Sequence, residues 1–241
     1  MMMRQFSLCL TLSLMVFLAA CSTKRADTAY NSGFLDPVLY SQMETNTDDD
    51  TRALRLYKSD HAQKPAYMKR FTKVLVNPIV VYLDDDRLED VGRKNAKVIA
   101  DQFYDKLRSE LSKDLTLVAS PGPDVLVMTA AITDLEKPNP TMNAISTVVP
   151  LASVTTSAYT YFSDKPSYQG QVAVEATMMD GGTGEILAAA QDRRLGGKGI
   201  GEKTLNSWHD LEKALIFWAE ATRRSVCELQ ARSACVTPKI P

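Results

Sequence analysis

The sequence contains few of the residues that most often carry out catalysis. Among its 241 residues there are two His, four Cys and two Trp. It has no Gly-x-Ser-x-Gly motif and no cluster of side chains at the spacings of a metal site. These absences argue against the common hydrolases and metalloenzymes. We therefore expect a protein that is not an enzyme and that needs no cofactor or metal.

The chain also lacks an excess of charge of either sign. It has 28 basic and 29 acidic residues and a formal net charge of −1. A nucleic-acid-binding domain normally shows a strong basic bias, so we expect no nucleic-acid partner. The hydrophobic fraction of 45% is sufficient for a full core, and the length fits one domain plus a tail.

No apolar run is long enough to be predicted as an ordinary membrane span. The longest, Phe6 to Ala20, follows Arg4 and falls short of the roughly 18–20 residues that a span requires. A basic residue, a short apolar run and a small-residue pair form the pattern of an export signal. The sequence therefore predicts a signal peptide over residues 1–20.

The four residues Leu18-Ala19-Ala20-Cys21 resemble the lipobox of bacterial lipoproteins. The resemblance implies cleavage before Cys21 and attachment of a diacylglycerol to its thiol, with acyl chains such as palmitate. Since Ser22, not Asp, follows the cysteine, the resemblance favours a periplasm-facing position on the outer membrane. The alternatives are a secretory signal with a chance cysteine and an uncleaved helical anchor.

Two of the remaining cysteines, Cys227 and Cys235, lie close together near the C-terminus. In an oxidising periplasm such a pair predicts a disulfide. A metal-binding pair is the alternative, but no His lies nearby.

The segment between the cysteine and the main domain is polar. We expect residues 21–65 to form a lipidated tether with little regular structure, and residues 66–241 to form one domain. Within the tether, Gly33-Phe34-Leu35 and Leu39-Tyr40 are apolar enough to dock onto that domain.

Hydrophobic periodicity predicts the elements of the domain. Alternation predicts a hairpin over residues 170–194 with a turn at Asp180-Gly-Gly-Thr-Gly184, and the helical period predicts two long helices. Pro78 makes residues 73–82 an edge strand, a bulge or two short strands. We expect an α/β (α+β) fold, a mixed sheet with both helices packed on one face. The predicted helices cover residues 87–114 and 208–230, and the other predicted strands cover residues 115–119 and 125–135.

Three further segments invite functional interpretations. Residues 141–163 carry no charge, and the two interpretations are a surface that contacts a membrane or a partner and a segment that covers the sheet. Asp84-Asp-Asp86 resembles a cation site, but helix capping is the simpler interpretation. The glycine-rich residues 196–204 do not match a phosphate loop, because Glu202 lies between the last Gly and Lys203.

The stretch from Asp180 to Arg194, together with Trp208-His-Asp and Trp218-Ala219, resembles the bacterial lipoproteins grouped as domain-of-unknown-function family 3313. The resemblance implies an exported, lipid-anchored α/β domain. It implies no catalytic residues, because no activity is assigned to the family.

We therefore expect a non-enzymatic envelope accessory protein, held in the membrane through Cys21, that binds another envelope protein. Residues 141–163 and the edge near Pro78 are the candidate contact surfaces. The alternatives are a periplasmic hydrolase, using paired carboxylates such as Asp134 with Glu175, and a carrier of a small ligand or lipid. His209 and Glu212 have the spacing of metal ligands, but the sequence suggests no third ligand.

Overall fold

The computed structural model describes residues 24–136, 171–195 and 209–240 of the chain. Within them, nine strands form one mixed sheet and five helices pack around it. The strands are β1 (Lys24–Arg25), β2 (Glu44–Thr45), β3 (Arg55–Lys58), β4 (Lys73–Val76), β5 (Val80–Val81), β6 (Thr116–Leu117), β7 (Val125–Glu136), β8 (Gln171–Asp180) and β9 (Ile186–Leu195). The helices are α1 (Pro37–Gln42), α2 (Pro65–Met68), α3 (Asp85–Val91), α4 (Arg93–Leu111) and α5 (His209–Leu229).

The strand order in the sheet is β2-β3-β9-β8-β7-β4-β6. Strand β4 pairs in parallel with both β6 and β7, and β5 pairs in parallel with β7. The pairs from β7 through β8 and β9 to β3 and β2 are antiparallel. The predicted mixed α+β sheet is confirmed.

Strands β8 and β9 form the hairpin that the alternating pattern predicts. They pair from Gln171 opposite Leu195 to Met179 opposite Ile186, with one irregularity between Met178 and Met179. The turn closes with a backbone bond from Gly184 to Asp180. Together with β7, the hairpin forms the centre of the sheet.

Both long helices pack on one face of the sheet, as predicted. Their apolar faces and the facing strand residues form the larger core. Most side chains of this core are almost completely removed from water on folding. Their burial supplies most of the driving force for folding. Examples from the two helices and from β7 are Phe103, Leu107, Leu215, Phe217, Leu126 and Ile132.

The helix predicted over residues 87–114 is divided in two. Gly92 lies between α3 and α4 with φ of +84°, in a region that other residues seldom adopt. Its N–H caps α3 by donating to the carbonyl of Leu88, and its own carbonyl accepts from Ala96 in α4. The sequence pattern missed the break because a small glycine is compatible with the apolar face of a continuous helix.

The opposite face of the sheet is covered by the N-terminal part of the chain. Leu35, Leu39 and Tyr40 pack there against Ala189 of β9 and form a second, smaller core. The predicted docking of the apolar residues in this segment is therefore observed.

Residues 24–65 contain far more regular structure than the expected tether. They contribute strands β1, β2 and β3, and β3 pairs with β9 along residues 188–191. Backbone hydrogen bonds to an existing strand compensate for the polar composition of this segment. The sheet and the second core consequently extend across the predicted domain boundary at residue 65.

Pro78 separates two short strands, which was one of the three predicted possibilities. Both β4 and β5 lie alongside β7, and in the described residues no strand pairs with the other side of β5. At the C-terminus, Cys227 and Cys235 form the predicted disulfide. Cys21, residues 141–163 and residues 196–204 lie outside the described ranges, so the predictions made for them stay predictions.

Candidate functional site

Strands β7, β8 and β9 carry an unusual set of buried polar and charged side chains towards the end at which β9 finishes. Burying such groups is unfavourable unless each finds a hydrogen-bonding or ionic partner. The set comprises Asp134, Gln171, Glu175, Gln191, Asp192, Arg193 and Arg194, each at most 2% exposed. Because neighbouring strand residues point to opposite faces, the set divides between the two faces of the sheet.

On the face covered by the N-terminal segment, the Glu175 carboxylate accepts several hydrogen bonds. Its donors are the Tyr40 hydroxyl at 2.6 Å, the Gln191 amide at 2.8 Å and the backbone N–H of Ser32 at 3.3 Å. Burial, and next the hydrogen bond to Glu175, raise the pKa of Tyr40 above its usual value of 10.0. Tyr40 therefore stays protonated, and its hydroxyl donates a hydrogen bond to the carboxylate. This contact joins the N-terminal segment to the centre of the sheet.

A second chain of interactions on the same face begins at Asp134. Its carboxylate forms an ion pair with Arg87 of α3 and accepts a hydrogen bond from the Gln171 amide at 2.9 Å. The amide oxygen of Gln171 accepts from Arg193, whose guanidinium lies 4.9 Å from the centre of the Tyr30 ring. Charge-assisted bonds of this kind are stronger than neutral ones and hold side chains in fixed positions.

Some members of these two sets line a surface cleft of about 420 Å³, namely Ser32, Arg87, Asp134, Gln191 and Arg193. Its walls come from the N-terminal segment, the residues after β5, the start of α3 and the ends of β7 and β9. Tyr30 and Tyr82 lie at its rim, 42% and 44% exposed, and Phe34 packs edge-on against Tyr82 with ring centres 5.8 Å apart. The cleft thus combines a polar floor with an exposed aromatic rim.

On the helix face, Asp192 connects β9 to α5 and to the residue just before β3. Its carboxylate accepts from the Trp218 indole at 2.7 Å, from Arg194 at 2.9 Å and from the backbone N–H of Leu54 at 3.1 Å. Arg194 in turn lies over the Phe217 ring at 4.0 Å. Burial raises the pKa of Asp192, against the opposing effects of Arg194 and Trp218. This arrangement attaches α5 to the sheet, so the role of Asp192 and Arg194 is structural.

The two carboxylates that the hydrolase alternative would pair are engaged by different partners. Asp134 and Glu175 lie on the same face of the sheet, but Asp134 is engaged by Arg87 and Gln171 while Glu175 is engaged by Tyr40 and Gln191. Each carboxylate is held by donors from the protein itself.

The other candidate sites have structural partners as well. Glu212 forms an ion pair with Lys106 at 3.2 Å. Asp84 occupies the N-cap position of α3 without a side-chain capping hydrogen bond, and Asp85 in the first turn forms an ion pair with Arg93 at 3.0 Å. Over the ranges that the structure describes, no three His, Cys, Asp or Glu side chains are grouped to hold a metal ion. In those same ranges no helix has the length and apolar character needed to cross a membrane.

Sequence reasoning identified the Asp192-Arg193-Arg194 run only as part of a family resemblance. Its structural meaning was missed, because a charged run normally indicates a solvated surface. One feature of the sequence does indicate burial: the three charged residues continue a strand that pairs with a strongly apolar strand.

The chain belongs to the family described as "Protein of unknown function (DUF3313)", whose profile matches residues 30–222. The match begins at Tyr30, so most of the N-terminal segment is part of the family domain. It also includes the hairpin and most of α5. No curated protein matches the chain.

Solved structures with a similar arrangement include two dodecamers of PelC from Paraburkholderia phytofirmans. One, a form with a single Leu-to-Met substitution, is 15% identical with a TM-score of 0.34, over 68% of this chain and 90% of that chain. The other is 12% identical with a TM-score of 0.35, over 67% of this chain and 94% of that chain.

Proposed function

We propose that this protein is a lipid-anchored lipoprotein of the outer membrane, facing the periplasm, that acts as a non-enzymatic accessory domain by binding another envelope protein. The observation that carries the proposal is the sequence Leu18-Ala19-Ala20-Cys21 directly ahead of the folded domain. Attachment of two or more acyl chains there makes membrane binding effectively permanent.

A binding role, as opposed to catalysis, is supported by the partners of three charged side chains. Arg87, Asp134 and Glu175 interact with other parts of the same chain and join α3, the N-terminal segment and the sheet. A catalytic acid or base instead needs a proton-transfer partner on the substrate within hydrogen-bond reach.

The proposed contact surface is the aromatic rim of the cleft and the adjoining strand β5. Tyr30, Val80 and Tyr82 are each between 42% and 44% exposed. Tyrosine is enriched at protein interfaces because it offers a large apolar ring with a polar end. In the described residues β5 has an unpaired side, which a partner strand can extend.

The anchor is tested by the Cys21→Ala variant expressed from the native signal sequence. We expect it to leave the membrane fraction, whereas the native protein remains there and its N-terminal peptide carries the mass of the lipid. Retention of the variant in membranes, or an unmodified Cys21 in the native protein, would reject the anchor.

The contact surface is tested by placing a photo-crosslinking amino acid at position 82 or, as a control, at the exposed position 183 in the β8–β9 turn. We expect a discrete cross-linked envelope protein from position 82 and none from position 183. Equal products, or no product from position 82, would count against the proposal.

A carrier function is the alternative that a specific observation favours. A cavity of about 160 Å³ lies between α5 and the sheet, where Ala176, Ala188 and Ala190 leave space beside Met128 and Leu229. A bound apolar molecule should survive gentle purification and be seen by native mass spectrometry. Ala190→Leu should abolish that extra mass if the cavity is the binding site.

A further inference from the structure

We infer that the anchored domain stands end-on at the lipid surface, with the sheet end that contains β1 towards the membrane. We call this the β1 end; it is formed by Lys24, Glu136, Gln171 and Leu195. The inference rests on the proposed lipid at Cys21 and adds an orientation to it.

The spacer between the lipid and the fold is very short. Only Ser22 and Thr23 separate Cys21 from the first residue of β1. Since consecutive Cα atoms are about 3.8 Å apart, the Cα of Cys21 lies at most about 11 Å from that of Lys24. A lipidated cysteine must therefore draw the β1 end to the headgroup region.

Strand β1 is fixed to the rest of the domain and cannot act as a hinge. Lys24 and Arg25 pair with the last two residues of β9, and the N–H of Ala26 donates to the Arg193 carbonyl at 2.9 Å. These contacts transmit the position of the lipid to the central sheet.

The side chain of Arg25 adds a second attachment. It is 6% exposed and forms an ion pair with Asp50 at 3.0 Å. It also donates to the carbonyl oxygens of Asp49 at 2.9 Å and Thr47 at 3.1 Å. Leaving this guanidinium without its acceptors would be costly, so the loop and β1 stay together.

The opposite end of the sheet carries the turn at residues 181–184 and the disulfide. Strand β8 runs from Gln171 at the β1 end to Asp180 at the far end, and its ten residues span about 33 Å. At the far end, Gln230 donates to the carbonyls of Met68 and Phe71 just ahead of β4. The Cys227–Cys235 disulfide therefore points away from the membrane.

The orientation can be measured by energy transfer on the full-length lipidated protein in phosphatidylethanolamine–phosphatidylglycerol vesicles. A donor dye is attached to K94C in the first turn of α4, near the β1 end, or to T183C at the far end. We expect transfer to a headgroup-labelled lipid to be at least about twofold more efficient from position 94, because the two ends are about 33 Å apart.

Equal transfer from the two positions, or stronger transfer from position 183, would overturn the orientation. Vesicle flotation of the same samples tests the anchor separately: native protein that fails to float rejects the anchor, whereas protein that floats with equal transfer rejects only the orientation. An insertion of about ten Gly and Ser residues after Thr23 should keep flotation but reduce the difference, because such a linker is flexible. A difference that survives the insertion would show that the short spacer does not set the orientation.

Discussion

Tyr40 illustrates, at the scale of one residue, how the N-terminal segment is held on the sheet. Its hydroxyl donates to Glu175 at 2.6 Å and accepts from the backbone N–H groups of Gly33 at 3.0 Å and Leu35 at 3.2 Å. One buried oxygen thus forms hydrogen bonds with three groups, the Glu175 carboxylate and two backbone N–H groups.

Removing that oxygen should be clearly destabilising. We expect Tyr40→Phe to lower the free energy of unfolding by about 1–3 kcal/mol, because it leaves a buried carboxylate short of a donor. Urea denaturation followed by circular dichroism measures the change. Tyr57→Phe, in a half-buried ring of the same smaller core, is the control and should change stability by less than about 0.5 kcal/mol. Equal effects of the two substitutions would contradict this account of Tyr40.

Gly181 is a second position where a single atom matters. A Cβ added there would lie 2.8 Å from the carbonyl oxygen of Val125 and 2.9 Å from that of Gly122, both backbone atoms that cannot rotate away. The β8–β9 turn therefore packs directly against the turn before β7.

Substituting this glycine should separate the two turns. We expect Gly181→Ala to cost about 1–3 kcal/mol, the usual range for overpacking. Thermal unfolding of the variant can be compared with that of Thr183→Ala, an exposed change in the same turn that should be nearly neutral. A Gly181→Ala protein as stable as the native one would show that the turns are free to move apart.

At the scale of elements, Asp114 connects the end of α4 to α5. Its carboxylate accepts from Arg223 at 2.6 Å and lies 3.5 Å from Arg232. The hydrogen bond from Arg223 holds the pKa of Asp114 below its usual value of 3.8. A carboxyl whose pKa is lower in the folded protein than in the unfolded chain stabilises the fold at pH values above its pKa in the unfolded chain. This contribution is lost as the pH falls through its pKa in the folded protein.

The corresponding test is a pH series on Asp114→Asn. At neutral pH we expect the variant to be less stable than the native protein by about 1 kcal/mol, discounted for partial solvent exposure. The difference should begin to shrink below about pH 4, where the carboxyl of the unfolded chain becomes protonated, and should be lost as the pH falls through the lower pKa of the folded carboxyl. Asp101→Asn, which removes an exposed pair with Lys97, should show little difference at any pH. A constant difference down to about pH 2 would contradict the assignment.

The elements that could be predicted from sequence are those whose pattern is local. The β8–β9 hairpin was predicted because alternation and a glycine-rich turn lie within one continuous stretch. Strands β1 to β3 were missed because they are short and polar, and because β1 and β3 pair with β9, which lies at least 130 residues further along the chain. Pairing of this kind is decided by backbone hydrogen bonds that composition does not reveal.

At the scale of the whole molecule, residues 24–65 belong to the folded unit. A chain that starts at residue 66 lacks the strand that pairs with β9 and the side chains that cover Ala189. It also leaves Glu175 without the Tyr40 hydroxyl. An exposed strand edge and an exposed apolar face both favour aggregation.

We therefore expect a soluble protein of residues 24–241 to fold and one of residues 66–241 to aggregate or remain largely unfolded. Circular dichroism and gel filtration of the two proteins, prepared in parallel under oxidising conditions, measure this. A well-folded 66–241 protein with a cooperative transition would restore the predicted boundary at residue 65.

The sequence by itself was enough for the disulfide pair, the mixed sheet, the hairpin and the placement of both long helices on one face. Local periodicity and the spacing of cysteines are properties of neighbouring residues. Only the tertiary structure decided that the expected tether is part of the sheet and that buried charges occupy both faces of β9. These features depend on contacts between distant segments, where the energetic value of a polar residue is set by the partner that folding places beside it.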